Sequence, residues 1–228
     1  MTHINNIFSK IFKQDIAGNY SRYGMTDVII DETPSVVISG GKNIYNTFSF
    51  VKQIDMQNNN IQIKDMPNMP KARYGHAMIS TYINSVNHLV ISGGINNRDN
   101  ILKSTIYLDT KNANAKWQHL PIMPQARAYH AMISVSVGNK HFLVMSGGCS
   151  SSNDATASVY SLDLTDKNAS WVSGPDMPQK RSYHEMYSQI IDGDTYIVVF
   201  GGRDNHLNMP LPNIRLNMDK EMSMWEIF

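Results

Sequence analysis

Apolar residues along the chain fall in short runs, each closed by glycine, asparagine or aspartate. YHAMISVSV stops at Gly138-Asn139, HFLVMSGG stops at a glycine pair, and SVYSLDL nearly alternates apolar with polar positions. Runs of about four to eight residues, rich in Val, Ile and Tyr and bounded by turn formers, predict β-strands. No long segment within these runs keeps a helical period. The start of the chain differs. Ile4, Ile7, Phe8, Ile11 and Phe12 would share one face of a short helix, so residues 1–21 are expected to form an amphipathic segment that caps the domain. With only Lys10 and Lys13 supplying positive charge, it is not expected to lie on a membrane surface.

The strand pattern repeats. MPKARYGHAMI, MPQARAYHAMI and MPQKRSYHEMY align without gaps, placing Arg73, Arg127 and Arg181 at a 54-residue spacing. The glycine pairs Gly93-Gly94, Gly147-Gly148 and Gly201-Gly202 follow in constant phase, and Trp117, Trp171 and Trp225 follow those. A worn copy comes first: Arg22-Tyr23-Gly24 echoes Arg73-Tyr74-Gly75, and Gly40-Gly41 ends SVVISGG. In that alignment Met25 stands for His76, and Ile63 for the tryptophan. Four units of four short strands are expected, at about 22–72, 73–126, 127–180 and 181–228.

The Pro-x-x-Arg-x-x-His motif, the glycine pair and the downstream tryptophan resemble the kelch repeat. The resemblance spans about nine-tenths of the chain. It implies an all-β fold, a kelch-type β-propeller with about four four-stranded blades, in the range 22–228. Four blades would make a small ring for this family, so either the first and fourth pack directly, or the chain is a fragment or an oligomeric half.

Each motif residue has an expected role. The glycines allow positive φ and close approach of the next blade. The tryptophans fill space between blades. His76, His130 and His184 sit at one phase of their units; the expectation is an imidazole bonded to a neighbouring strand, with no metal site, since equivalent positions on separate blades do not converge. The arginines Arg22, Arg73, Arg127 and Arg181 are expected on the face that carries the loops after the glycine pairs, beside Arg98 and Arg203. Such a ring of guanidinium groups suits a carboxylate or phosphate. In some kelch domains arginines at this position line a pocket for an acidic peptide, and the resemblance implies the same. The competing role is an inter-blade ion pair or a guanidinium bonded to loop carbonyls. Glu185 replaces Ala77 and Ala131 of the sister units and is expected to pair with Arg181 or with an outside partner.

Composition narrows the function. The chain has 228 residues, 42% hydrophobic and 17% charged, with a net charge of +1. Binding nucleic acid by bulk charge is therefore not expected. No apolar run is long enough to span a membrane. The single cysteine, Cys149, excludes an intrachain disulfide and every multi-cysteine metal motif. With no secretion signal evident, a cytoplasmic location is expected. No cofactor is expected. The leading expectation is a non-enzymatic module binding a protein or acidic peptide through the arginine-lined face. The alternative is an enzyme similar to the sialic acid epimerases of kelch fold, in which Arg181 holds a sugar acid and Glu185 moves a proton.

Overall fold

The computed structural model describes residues 20–55, 61–112, 114–151, 154–205, 211–220 and 222–228. All but two residues of the expected amphipathic segment lie outside them. Among the described residues every regular element is a strand. The first sheet holds β1 (Gly24–Ile30), β2 (Thr33–Ser39), β3 (Val51–Asp55) and β4 (Gln62–Met66), paired antiparallel in that order. The second holds β5 (Ala77–Ile83), β6 (Val86–Ser92), β7 (Thr105–Asp109) and β8 (Gln118–His119). In the third, β9 (Ala131–Val137) and β10 (Lys140–Ser146) are followed by a small hairpin of β11 (Cys149–Ser151) and β12 (Asp154–Ala155). The sheet then continues through β13 (Val159–Asp163) and β14 (Val172–Ser173). The fourth holds β15 (Glu185–Ile191), β16 (Asp194–Phe200), β17 (Ile214–Asn217) and β18 (Glu226–Ile227). These are four blades of a β-propeller.

Two-residue turns set the register of the inner hairpins. Asp31-Glu32, Asn84-Ser85 and Asp192-Gly193 all have positive φ at both positions, the tight turn that matches strand twist. Inner strands pack in succession, β1 on β5, β5 on β9 and β9 on β15. Each seam between blades holds its own apolar cluster. Val28, Val37 and Met69 meet Met78 and Ile91 in the first; Ala77, Val90 and Met123 meet Met132 and Met145 in the second; Val144 and Met177 meet Met186 and Val199 in the third. Each motif methionine before the arginine is therefore core.

Polar ties repeat with the same phase. Ser39, Ser92 and Ser146 hydroxyls meet the Nε2 atoms of His76, His130 and His184 across the seams at 2.7–2.8 Å. Trp117, Trp171 and Trp225 donate their indole N–H to the carbonyls of Pro67, Pro121 and Pro175 in the preceding blade. The second glycine of each pair donates to the next blade: Gly41 to the Arg73 carbonyl, Gly94 to Arg127 and Gly148 to Arg181. The approach is close enough to require glycine beside it. A Cβ on Gly93, at φ +61, would stand 2.2 Å from the Arg127 carbonyl oxygen.

The worn unit aligns two residues away from where the sequence places it. Ser21 bridges Lys42 as Tyr74 bridges Ile95, Ala128 bridges Cys149 and Ser182 bridges Arg203. Arg22 therefore matches Gly75, Tyr129 and Tyr183, and all four have φ between 56° and 62°. Tyr20 takes the place of the buried arginines, and its hydroxyl donates to the Gly40 carbonyl as Arg73 donates to Gly93. Tyr23 takes the place of His76, and Met25 that of Met78. The echo of Arg-Tyr-Gly misled because the two copies differ at the arginine itself.

The four positive-φ residues form a hydrogen-bonded spiral around the axis. Gly75 N–H donates to the Arg22 carbonyl, Tyr129 to Gly75 and Tyr183 to Tyr129. Among the described residues no fourth bond joins Tyr183 to Arg22, and a Cβ on Gly201 would meet nothing within 4 Å. The first and fourth blades do not form the seam that the other pairs share.

Candidate functional site

The lead-in to each inner strand and the loop after each glycine pair lie on one end of the ring, as the four bridges show. There the spiral brings side chains from different blades to the axis. The rings of Tyr129 and Tyr183 stack with centroids 4.2 Å apart. Arg22 donates from Nη1 to the Tyr129 hydroxyl at 2.8 Å and lies over that ring at 5.4 Å. Arg203 lies 4.3 Å over Tyr183, and Lys42 lies 4.3 Å over Tyr74. The Tyr74 hydroxyl donates to Asp99 at 3.2 Å. A cation over an aromatic face is held by the ring quadrupole and still presents N–H donors outward. The result is an aromatic floor with three positive groups around it.

Burial and the neighbouring rings and charges raise the phenol of Tyr129 above its ordinary range, against the opposing pull of Arg22. It stays a neutral hydroxyl at physiological pH. Beside this floor a groove of about 430 Å³ is lined by Lys42, Asn43, Tyr45, Tyr74, Asn97 and Asp99. Arg98 lines a neighbouring groove with Lys71 and Asn96 and is exposed. A hollow of about 640 Å³ lies at the opposite end between the turns of blades two and three. Its His141 is occupied by Thr81 and Ser136, so it holds no free acid–base group.

The structure corrects part of the expected arginine ring. Arg73, Arg127 and Arg181 are 1%, 0% and 0% exposed, inside the blades and away from the mouth. Each guanidinium reaches along its own blade to the end of the second strand. Arg73 donates to the Gly93 carbonyl at 2.9 Å and to Ser104, Arg127 to Gly147 and Ser158, and Arg181 to Gly201 and Pro212. Buried carbonyls there need donors, and the long side chain supplies them. Burial lowers the guanidinium of Arg73 and of Arg127 to about 10. Of the six expected binding arginines, the structure brings Arg22 and Arg203 to the mouth and Arg98 to its rim.

Glu185 does not pair with Arg181. The positive φ of Tyr183 kinks the chain between them, so they do not share one extended face. Glu185 is exposed on the side of the fourth blade, and Arg181 is buried within it. The two residues assigned to the enzymatic alternative thus share no pocket. The histidines lie in the seams. Burial, then the adjacent arginine, lowers His76 and His184 to about 3 and His130 well below its ordinary value. No group of His, Cys, Asp and Glu suited to a metal occurs among the described residues.

Sequence reasoning missed Tyr129, Tyr183 and Lys42. A signal existed for the tyrosines: they stand where a sister repeat has glycine. An L-residue in the left-handed region costs about 1–2 kcal/mol, so two tyrosines there imply a compensating contact.

Comparison with known proteins agrees with this architecture. The profile of the KLHDC2/KLHL20/DRC7 kelch-repeats domain matches residues 21–225. Adagio protein 3 of Arabidopsis thaliana is 26% identical over 184 residues, 78% of this chain and 28% of that protein. Adagio-like protein 1 of Oryza sativa subsp. japonica is 29% identical over 174 residues, 73% of this chain and 26% of that protein. The chain thus spans about a quarter of the length of these relatives. The solved structure of YjhT superposes with a TM-score of 0.64 over 91% of this chain and 70% of that one, at 16% identity, a likeness of fold. With its four-bladed repeat and a family match over nearly all of its length, the chain belongs to the kelch-repeat family.

Proposed function

We propose that the chain is a non-enzymatic interaction module that takes an acidic peptide or protein segment at the axial mouth. One observation carries the reading: Arg22, Lys42 and Arg203 ring the tyrosine floor, and Asp99 accepts from Tyr74 at its edge. A carboxylate side chain gains charge-assisted bonds there, while the rings cover the apolar part of the segment. Arg98 extends the positive rim. The phenols and guanidinium groups are hydrogen-bond donors, and Tyr129, whose phenol burial raises, stays protonated there. No helix among the described residues is long and apolar enough to cross a membrane.

The test is binding of fluorescent peptides carrying paired Asp or Glu, compared with their Asn and Gln counterparts. Arg22→Ala and Arg203→Ala should each weaken the acidic peptides by about tenfold or more, from the loss of about 1.5–3 kcal/mol of charge-assisted bonding. Rising salt should weaken them too. Equal affinity for acidic and amide peptides, or no effect of either substitution, defeats the reading. A free sugar acid that competes as well as the best peptide would make a small molecule the ligand.

A further inference from the structure

The hollow at the end of the ring opposite the mouth is built on a departure from the repeat. Three positions recur at the turn end of each seam: the fifth residue of one blade's inner strand, and a facing pair on the first two strands of the next blade. Between the first and second blades these are Val28, then Tyr82 opposite Asn87. Between the third and fourth they are Val135, then Ile190 opposite Thr195. Between the second and third they are Thr81, then Ser136 opposite His141. Among the three seams only this one has a hydrogen-bonding side chain at all three positions, and there they are joined. His141 Nε2 lies 2.7 Å from the Thr81 hydroxyl across the seam, and its Nδ1 lies 2.9 Å from the Ser136 hydroxyl within its own blade. Thr81 is buried where two sister blades have valine, and His141 supplies the partner that its hydroxyl needs.

Ser136 and His141 line the hollow together with Tyr82, Asn84, Asn139 and Lys140. One imidazole nitrogen donates and the other accepts, so Ser136 spends one hydrogen-bonding position on the ring and keeps the others for the hollow. Asn84 and Asn139 are exposed on the two turns, and among the described residues no hydrogen bond engages their side-chain amides. Tyr82 is 57% exposed, and the buried Leu164 lies beneath. Charge is cancelled here. Lys140 meets Asp163 at 3.1 Å, and the other oxygen of Asp163 accepts from the Thr165 N–H and hydroxyl. Burial lowers the imidazole of His141 below its ordinary range, so the ring is neutral at physiological pH.

Walls of amides and hydroxyls, one open aromatic ring and no net charge suit a neutral polyhydroxylated ligand. Each sugar hydroxyl both donates and accepts, and the free amides and the Ser136 hydroxyl can answer in either sense. The C–H face of a pyranose packs on an exposed aromatic ring. An anion gains little, because Asp163 already holds the one lysine of the lining. The volume falls within the range of about 300–1,000 Å³ usual for small-molecule sites. The mouth has the opposite chemistry, with Arg22, Lys42 and Arg203 stacked on rings and no carboxylate bonded to any of the three.

We propose that this hollow is a second binding site, for a neutral sugar, with Tyr82 as the platform for the pyranose ring and Asn84, Ser136 and Asn139 bonding its hydroxyls. The inference is independent of what binds at the mouth. The test records saturation-transfer NMR on the full chain with D-glucose, D-galactose, D-mannose and N-acetylglucosamine, and with N-acetylneuraminic acid as the acidic comparison. At least one neutral sugar should receive saturation at its ring protons, and more of it than the acid receives. In titrations of that sugar, Tyr82→Ala should weaken binding about fivefold or more and Asn139→Ala about threefold, while Tyr82→Trp retains it. Both positions are exposed, so the variants should melt with the parent. Arg203→Ala, at the mouth, should leave the sugar unaffected. Transfer to none of the neutral sugars would overturn the proposal, and so would a preference for the acid. Binding indifferent to Tyr82→Ala, or lost in Arg203→Ala, would place the sugar elsewhere and overturn it as well.

Discussion

The seam between the third and fourth blades and the bare side of the fourth blade are made from the same strand positions. In the seam, Ala131 and Ser146 leave room for His184 and Met186, and the Ser146 hydroxyl meets His184 Nε2 at 2.8 Å. On the bare side the same two positions are Glu185 and Phe200. Backbone pairing is nearly identical in the two blades, so the strands themselves do not decide whether a neighbour docks. Side-chain volume at two positions is what differs. Repeat proteins accumulate stability from such nearest-neighbour contacts.

The strongest way to break this comparison is to give an inner seam the terminal residue. Ala131→Glu should cost about 3–5 kcal/mol, as a carboxylate is forced against His184 without a partner. Glu185→Ala should change stability by no more than about 0.5 kcal/mol. Urea midpoints of the two variants make the test, and equal effects would mean that the seams are looser than their contacts indicate.

The arginines divide in the same way. Arg127→Ala removes the donor from Gly147 and Ser158 inside the third blade, and a loss of about 2–4 kcal/mol is expected. Arg203→Ala, at the mouth, should stay within about 0.5 kcal/mol in melting experiments while losing ligand. If Arg127→Ala melts like the parent and loses only ligand, the buried guanidinium is a binding group after all.

The seam histidines add a pH signature. An unfolded chain protonates these rings as pH falls through about 6.5, whereas folded His76 and His184 resist until about 3. Stability should therefore decline on acidification across that window and be insensitive to these groups above it. His76→Gln should flatten the decline measured by urea titration between neutral pH and about 4.5, and an unchanged slope would assign the acid sensitivity elsewhere. Ser92→Ala, which strands His130 Nε2, should cost about 1–2 kcal/mol. The smallest effect is expected at the outer edge. Trp117→Phe keeps most of the ring but loses the bond to Pro67, for about 1 kcal/mol.

What could be read in advance was whatever the repeat states many times over. The strands, the turn at Gly138, the glycine pairs and the phase of Trp117, Trp171 and Trp225 follow from local pattern, because each is a property of one unit and recurs in the others. The worn first unit was misaligned for the converse reason. Its Arg22 has the right identity in the wrong place, and only the bridge from Ser21 to Lys42 shows that Tyr20 does the work of Arg73.

Direction and closure were decided by the tertiary structure. A sequence gives Arg73 and Arg203 the same charge, but the glycine carbonyl within reach of one and the Tyr183 ring beneath the other set one inside the blade and one at the mouth. Tyr129 and Tyr183 lie 54 positions apart and become a stacked pair because two blades bring their kinks to one axis. The repeat period determined that four blades would form. Whether the first and fourth would meet depended on a contact that neither contains alone, and where the third blade has Ala131 and Ser146 the fourth has Glu185 and Phe200.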